Sequence, residues 1–149
     1  MSYIYYISPV GADPDYGAKR GILNNISQEL GIEWFFPLDR YACFAVPAAL
    51  EDLRAAAHVV ADLSLERPSC YFELGLAQAL GVRLSLIAKE GTILHQAGGI
   101  DGVVIYQDLR SYREAVKHCL AKRSQSDTSH MSTGHPASRF ATALGFNLL

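Results

Sequence analysis

Apolar and polar positions along this chain keep two rhythms. Short runs rich in β-branched and aromatic residues, "YIYYIS" (3–8), "EWFFP" (33–37), "HVVADLS" (58–64), "RLSLIA" (83–88) and "GVVIY" (102–106), alternate with longer segments whose apolar residues recur every three or four positions. Such interleaving predicts an α/β fold: a single flavodoxin-like, doubly wound domain with a mainly parallel five-stranded sheet flanked by helices. The third run is almost continuously apolar, as expected of a central parallel strand covered on both faces.

Helices are predicted over 16–30, with Ile22, Leu23, Ile26 and Leu30 on one face and Gly31 as terminator, and over 47–56. A third begins at Pro68 or Ser69, where proline is tolerated, and ends near Gly81; a fourth covers 108–123 with Asp108 as its N-cap. From Ser124 the stretch "SQSDTSHMSTGHPAS" is polar and lacks an apolar period, so the domain is expected to end at 123 and a linker to follow. The final "RFATALGFNLL" regains apolar character and either docks, on this chain or a neighbouring subunit, or frays.

With 149 residues, half of them hydrophobic, and a net charge of −2, the chain can bury one sizeable core. Its Lys and Arg are scattered, which gives no footprint for a nucleic-acid polymer. Three cysteines, Cys43, Cys70 and Cys119, without a CxxC pair, and five histidines without ligand spacing suggest neither a disulfide framework nor a metal site, and no cofactor is expected. The N-terminus lacks a cleavable leader pattern and no run reaches membrane-spanning length, so a soluble, cytoplasmic protein with reduced thiols is expected.

In an open parallel sheet, ligands bind outside the carboxyl ends of the strands, and three polar segments fall there: "SPVGADPD", "PLDRYACF" and "DLSLERPS". The helix starting at Pro68 aims its free N–H groups at the same place, which favours an anionic group. Glu73 lies about one turn into that helix among Tyr71, Phe72, Leu74 and Leu76, and its side chain tilts back towards the cleft. Held against apolar walls, its carboxyl is expected to have a raised pKa and to attack, or accept a proton, at an electron-poor carbon. The ordinary alternative is a first-turn acid pointing into water. Asp62, at the end of the third strand, is a candidate for holding ligand hydroxyls or orienting a base, or else caps the next turn. Ser8, Pro9, Val10 and Gly11 are candidates in the first loop, and Ser64, Arg67 and Ser69 are candidate phosphate donors, though all of these types also serve as routine loop and cap residues. Cys70 reads as a packed small hydrophobe.

The stretch "AAAHVVADLSLERPSCYFELGLAQALG" resembles the signature of the nucleoside 2-deoxyribosyltransferase-like superfamily: an apolar strand ending in Asp-Leu, a loop, then Tyr/Phe-Glu-Leu-Gly and Ala-Leu-Gly. "YIYYISPVG" is similar to its first strand and ligand loop. The superfamily includes nucleoside deoxyribosyltransferases, nucleoside-monophosphate N-glycosidases and TIR-like proteins of antiviral operons. The likeness spans residues 3–123 in element order, with its specific part at 59–81. It implies that Glu73 is the nucleophile or electrostatic partner at the anomeric carbon, that Asp62 is the strand-end acid, and that the working form is a homo-oligomer. It also implies a further aspartate on the preceding helix, contacting the base or assisting proton transfer. Counting back from Glu73 lands at Ala49, with Glu51 and Asp52 about a turn out of register.

Two functions follow as expectations. One is an N-glycosidic-bond enzyme, hydrolase or ribosyl/deoxyribosyl transferase, acting on a nucleoside, nucleotide or NAD through Glu73 and Asp62. The other is a non-catalytic nucleotide-sensing or TIR-like interaction module, to which the missing helix aspartate and the apolar tail would point.

Overall fold

The computed structural model describes residues 3–41, 45–95 and 102–129. Cys43, His130, His135 and the apolar C-terminal stretch lie outside the described residues. The element order is β1 (Tyr3–Ile7), α1 (Tyr16–Leu30), β2 (Glu33–Phe35), α2 (Pro37–Arg40), α3 (Val46–Ala55), β3 (His58–Asp62), a 3-10 turn (Ser64–Glu66), α4 (Pro68–Ala79), β4 (Leu84–Lys89), β5 (Val104–Tyr106) and α5 (Leu109–Ser129). The five strands form one all-parallel sheet in the order β2-β1-β3-β4-β5, with Tyr5 opposite Val59 and Asp62 opposite Ile87. This is the expected flavodoxin-like architecture.

Successive side chains of a strand point to opposite faces, and the two cores follow from that alone. Ile4, Tyr6, Val60 and Ile87 face α1 and α5, where they meet Leu23, Ile26, Tyr112 and Val116. Tyr5, Ile7, Val59, Ala61 and Leu86 face α3 and α4, where they meet Leu53, Cys70, Leu74 and Ala77. Each large aliphatic residue fully withdrawn from water in these layers contributes about 1.5–3 kcal/mol. Cys70 and Cys119 are both buried, and neither forms a disulfide.

The chain reverses its winding direction between β1 and β3, so the loops that leave their carboxyl ends diverge and open a crevice. Gly31 terminates α1 at φ 63°, a left-handed conformation that glycine adopts without the Cβ clash. Asp108 caps α5, its carboxylate accepting the Ser111 N–H at 2.8 Å.

Several details differ from the sequence expectations. Leu30 is exposed, and the position that completes the buried face of α1 is Lys19, four and seven residues before Leu23 and Ile26. A single helical turn, α2, occupies the segment expected to be a loop, and the segment expected to be a linker from Ser124 continues α5 through Ser129. Extending an established helix adds a hydrogen bond per residue without the cost of a new nucleus, and no glycine or proline interrupts the chain between 109 and 133.

Candidate functional site

A cavity of about 280 Å³ opens at the strand tips where the winding reverses. The β1–α1 loop forms one wall with Ser8, Pro9, Val10, Gly11 and Ala12. Opposite, the start of α4 supplies Arg67, Ser69, Phe72 and Glu73. The roof is α2 with Pro37 and Leu38, continued by Tyr41 and by Ala45, Ala49 and Asp52 of the α3 segment; Tyr5 and Tyr6 form the floor.

Glu73 faces this cavity rather than bulk water. Burial raises its carboxyl pKa to about 7, against the opposing effect of one hydrogen bond, donated by the Tyr5 hydroxyl to Oε2 at 3.0 Å. Tyr5 is 1% exposed and stacks on Phe35 with ring centroids 5.2 Å apart. Its own pKa is pushed up by burial and then by the Glu73 charge, so the hydroxyl keeps its proton and remains a donor. The neighbouring Cys70 is inert for the same reasons: burial, then the Glu73 charge, push its thiol up to about 12.

Asp52, about a turn out of register in the count back from Glu73, also lines the cavity. The count back from Glu73 reached Ala49, which does line the cavity, and Asp52 lies three residues further along the same helical face. Glu51, one position away, is exposed. The backbone carbonyl of Asp52 accepts the Tyr3 hydroxyl at 2.7 Å, and Arg40 Nη1 lies 3.8 Å from Oδ1. Oδ2 is buried without a hydrogen-bond partner among the described residues. A buried acceptor left this way is costly.

Arg67 and Ser69 reach the cavity because the loop before them is bent sharply. Leu65 and Glu66 both have positive φ, 66° and 49°, a pair of left-handed non-glycine residues that costs of order 1–2 kcal/mol each. Glu66 is held in that conformation by accepting the Ile93 N–H at 3.0 Å and by a hydrogen-bond contact between its Oε2 and His95 Nε2 at 3.2 Å.

Seven of the nine residues expected from the sequence therefore border the cavity: Ser8, Pro9, Val10, Gly11, Arg67, Ser69 and Glu73. Asp62 and Ser64 do not. Asp62 is 0% exposed and its oxygens are taken by Lys19 Nζ (2.9 Å), the Ser64 N–H (3.1 Å), the Ser64 hydroxyl (2.6 Å) and the Tyr106 hydroxyl (3.0 Å). The expectation that Asp62 holds ligand hydroxyls directly is corrected accordingly: its side chain turns under the sheet tips into a closed polar cluster. Ser64 turns with it, and its oxygen accepts the Lys89 N–H at 2.8 Å. Lys19 had no local signal beyond a charge at a core-register position, and Tyr5 read simply as a strand residue.

Among the described residues, no group of His, Cys, Asp and Glu is arranged to hold a metal ion, and no helix is long and apolar enough to cross a membrane.

Fold and site together define a parallel, doubly wound α/β domain with an acid-lined crevice at its switch point. No family model and no curated protein matches the chain. Among solved structures it is similar to the CMP N-glycosidase BcmB of Clostridium botulinum, with a TM-score of 0.60 and 15% sequence identity over 78% of this chain and 99% of that one. The two share a fold.

Proposed function

We propose that this protein cleaves the N-glycosidic bond of a nucleoside, nucleotide or NAD, by hydrolysis rather than base exchange, with Glu73 as the catalytic acid residue. The observation that carries the reading is the setting of Glu73: a poorly hydrated carboxyl, steadied by Tyr5, facing a cavity with a second carboxylate at one side and Arg67 and Ser69 at the other. The shared fold with a CMP N-glycosidase is consistent with it.

As the C1′–N bond breaks, the bonding pair departs with the base and C1′ gains oxocarbenium character. Ionised Glu73 stabilises that charge or captures C1′ covalently. Water then supplies hydroxide to C1′, and its proton goes to the departing nucleoside base or, when the leaving group is nicotinamide and departs neutral, to solvent. In this scheme the Asp52 carboxylate receives an N–H of the base, and Arg67 with the α4 N-terminus receives a phosphate when the substrate has one. The resemblance of the signature stretch further leads us to expect at least a dimer, which light scattering tests.

Incubation with a panel of deoxynucleosides, nucleoside monophosphates and NAD, scored for released base or nicotinamide, should give turnover that falls at least about a hundredfold in Glu73→Gln. Binding without turnover, indifferent to that substitution, would replace the enzyme by a nucleotide-sensing module.

A further inference from the structure

Lys19 projects from α1 at a core register and is 2% exposed. An ammonium in such a place is destabilising unless its protons find acceptors. Here they go to Asp13 Oδ2 at 2.5 Å, Asp62 Oδ2 at 2.9 Å and the Tyr106 hydroxyl at 2.6 Å. Neutralising Lys19 requires one carboxylate; the structure supplies two, one from the β1–α1 loop and one from the end of β3.

Asp13 belongs to the β1–α1 loop. Its other oxygen accepts the Asp15 N–H at 2.9 Å, and the five residues before it, 8–12, form one wall of the cavity. Asp62 ends β3, and its Oδ1 takes both the N–H and the hydroxyl of Ser64, where the β3–α4 loop starts on its way to Arg67 and Ser69. One buried charge is thus tied to both walls of the cavity without lining it. Tyr5 and Glu73 are set differently, by β1 and by the packing of Cys70, Leu74 and Ala77 of α4 in the other core layer.

We propose that Lys19 is a positioning residue of the ligand site, holding the β1–α1 and β3–α4 loops at a fixed separation through Asp13 and Asp62. The proposal rests on the reading that this cavity takes a nucleoside- or nucleotide-class ligand. Because the reacting carboxyl is anchored elsewhere, loosening the loops weakens ground-state binding more than it slows the chemical step.

The test uses Lys19→Met and the double variant K19M/D13N in the full chain. The double variant keeps the cluster at one net negative charge and leaves Asp62 its Ser64 and Tyr106 donors, so it provides a folded protein if K19M alone does not. Two quantities are measured: steady-state kinetics with whichever panel compound wild type turns over fastest, and hydrogen exchange of the amides of Ala12, Asp13 and Asp15 in the free protein. The expected result is KM raised at least about tenfold with kcat within about threefold, and exchange at least about tenfold faster at those three amides than in wild type, with α5 amides unchanged. A folded variant whose KM stays within about twofold, or whose kcat falls with KM unchanged, or whose loop amides exchange as in wild type, overturns it. If wild type neither binds nor turns over any panel compound, the functional reading fails by itself, and the exchange measurement decides alone whether Lys19 holds the loops.

Discussion

The Tyr5 hydroxyl donates a hydrogen bond of 3.0 Å to Glu73 Oε2, joining the middle of the first strand to the second turn of a helix 68 positions away. Both groups are withdrawn from water, so the bond is the main interaction that favours the ionised carboxylate over its neutral form. It sets how much of Glu73 is charged near neutrality.

Activity that needs ionised Glu73 should rise with pH through a midpoint near the Glu73 pKa of about 7, seen as the acid limb of kcat/KM. Tyr5→Phe removes the donor that lowers this pKa, so the limb should move to higher pH, by roughly one unit, with the plateau largely kept. A pH–rate profile of the two proteins checks it; an unmoved limb would separate the activity from Glu73.

Folding stability carries the same signature with a defined sign. Glu73 binds its proton more tightly folded, at about 7, than its ordinary value of 4.5. Its contribution is therefore fully present below pH 4.5 and is lost as pH rises to about 7. Glu73→Gln should then be more stable than wild type at pH 8, by roughly 2 kcal/mol after allowing for partial solvent contact, and about equal at pH 4. Urea unfolding at the two pH values measures the difference.

Asp52→Asn keeps the size of the side chain and removes a charge whose Oδ2 has no partner among the described residues. The melting temperature should hold or rise, while kcat/KM falls at least about tenfold through the lost contact to the base. Loss of stability without loss of activity would place Asp52 in the scaffold instead.

Arg67→Ala and Ser69→Ala should discriminate between substrates. If these side chains receive a phosphate, KM for nucleoside monophosphates rises about tenfold or more while turnover of unphosphorylated nucleosides changes little. Equal losses for both classes would assign the pair to shaping the cavity.

Much of this molecule is written in local pattern. The two hydrophobic periods determined five strands, four principal helices and the α/β class, because side-chain period and element type are linked by backbone geometry. Gly31 marked a helix end, Pro68 a helix start, and the spacing within "PSCYFELG" placed Glu73 close enough to a helix N-terminus to reach the strand tips. What local pattern could not decide was the direction of polar side chains at those tips. Asp62 and Asp52 are both acids near apolar runs, yet one turns under the sheet and the other into the cavity, because Lys19 and Tyr106 wait under the sheet and the Ala49 face of α3 looks across at α4. The Tyr5–Glu73 bond and the contacts of Lys19 with Asp62 and Tyr106 join residues more than forty positions apart, and the raised carboxyl pKa depends on burial; such contacts exist only once the strands have paired and the helices have closed over them.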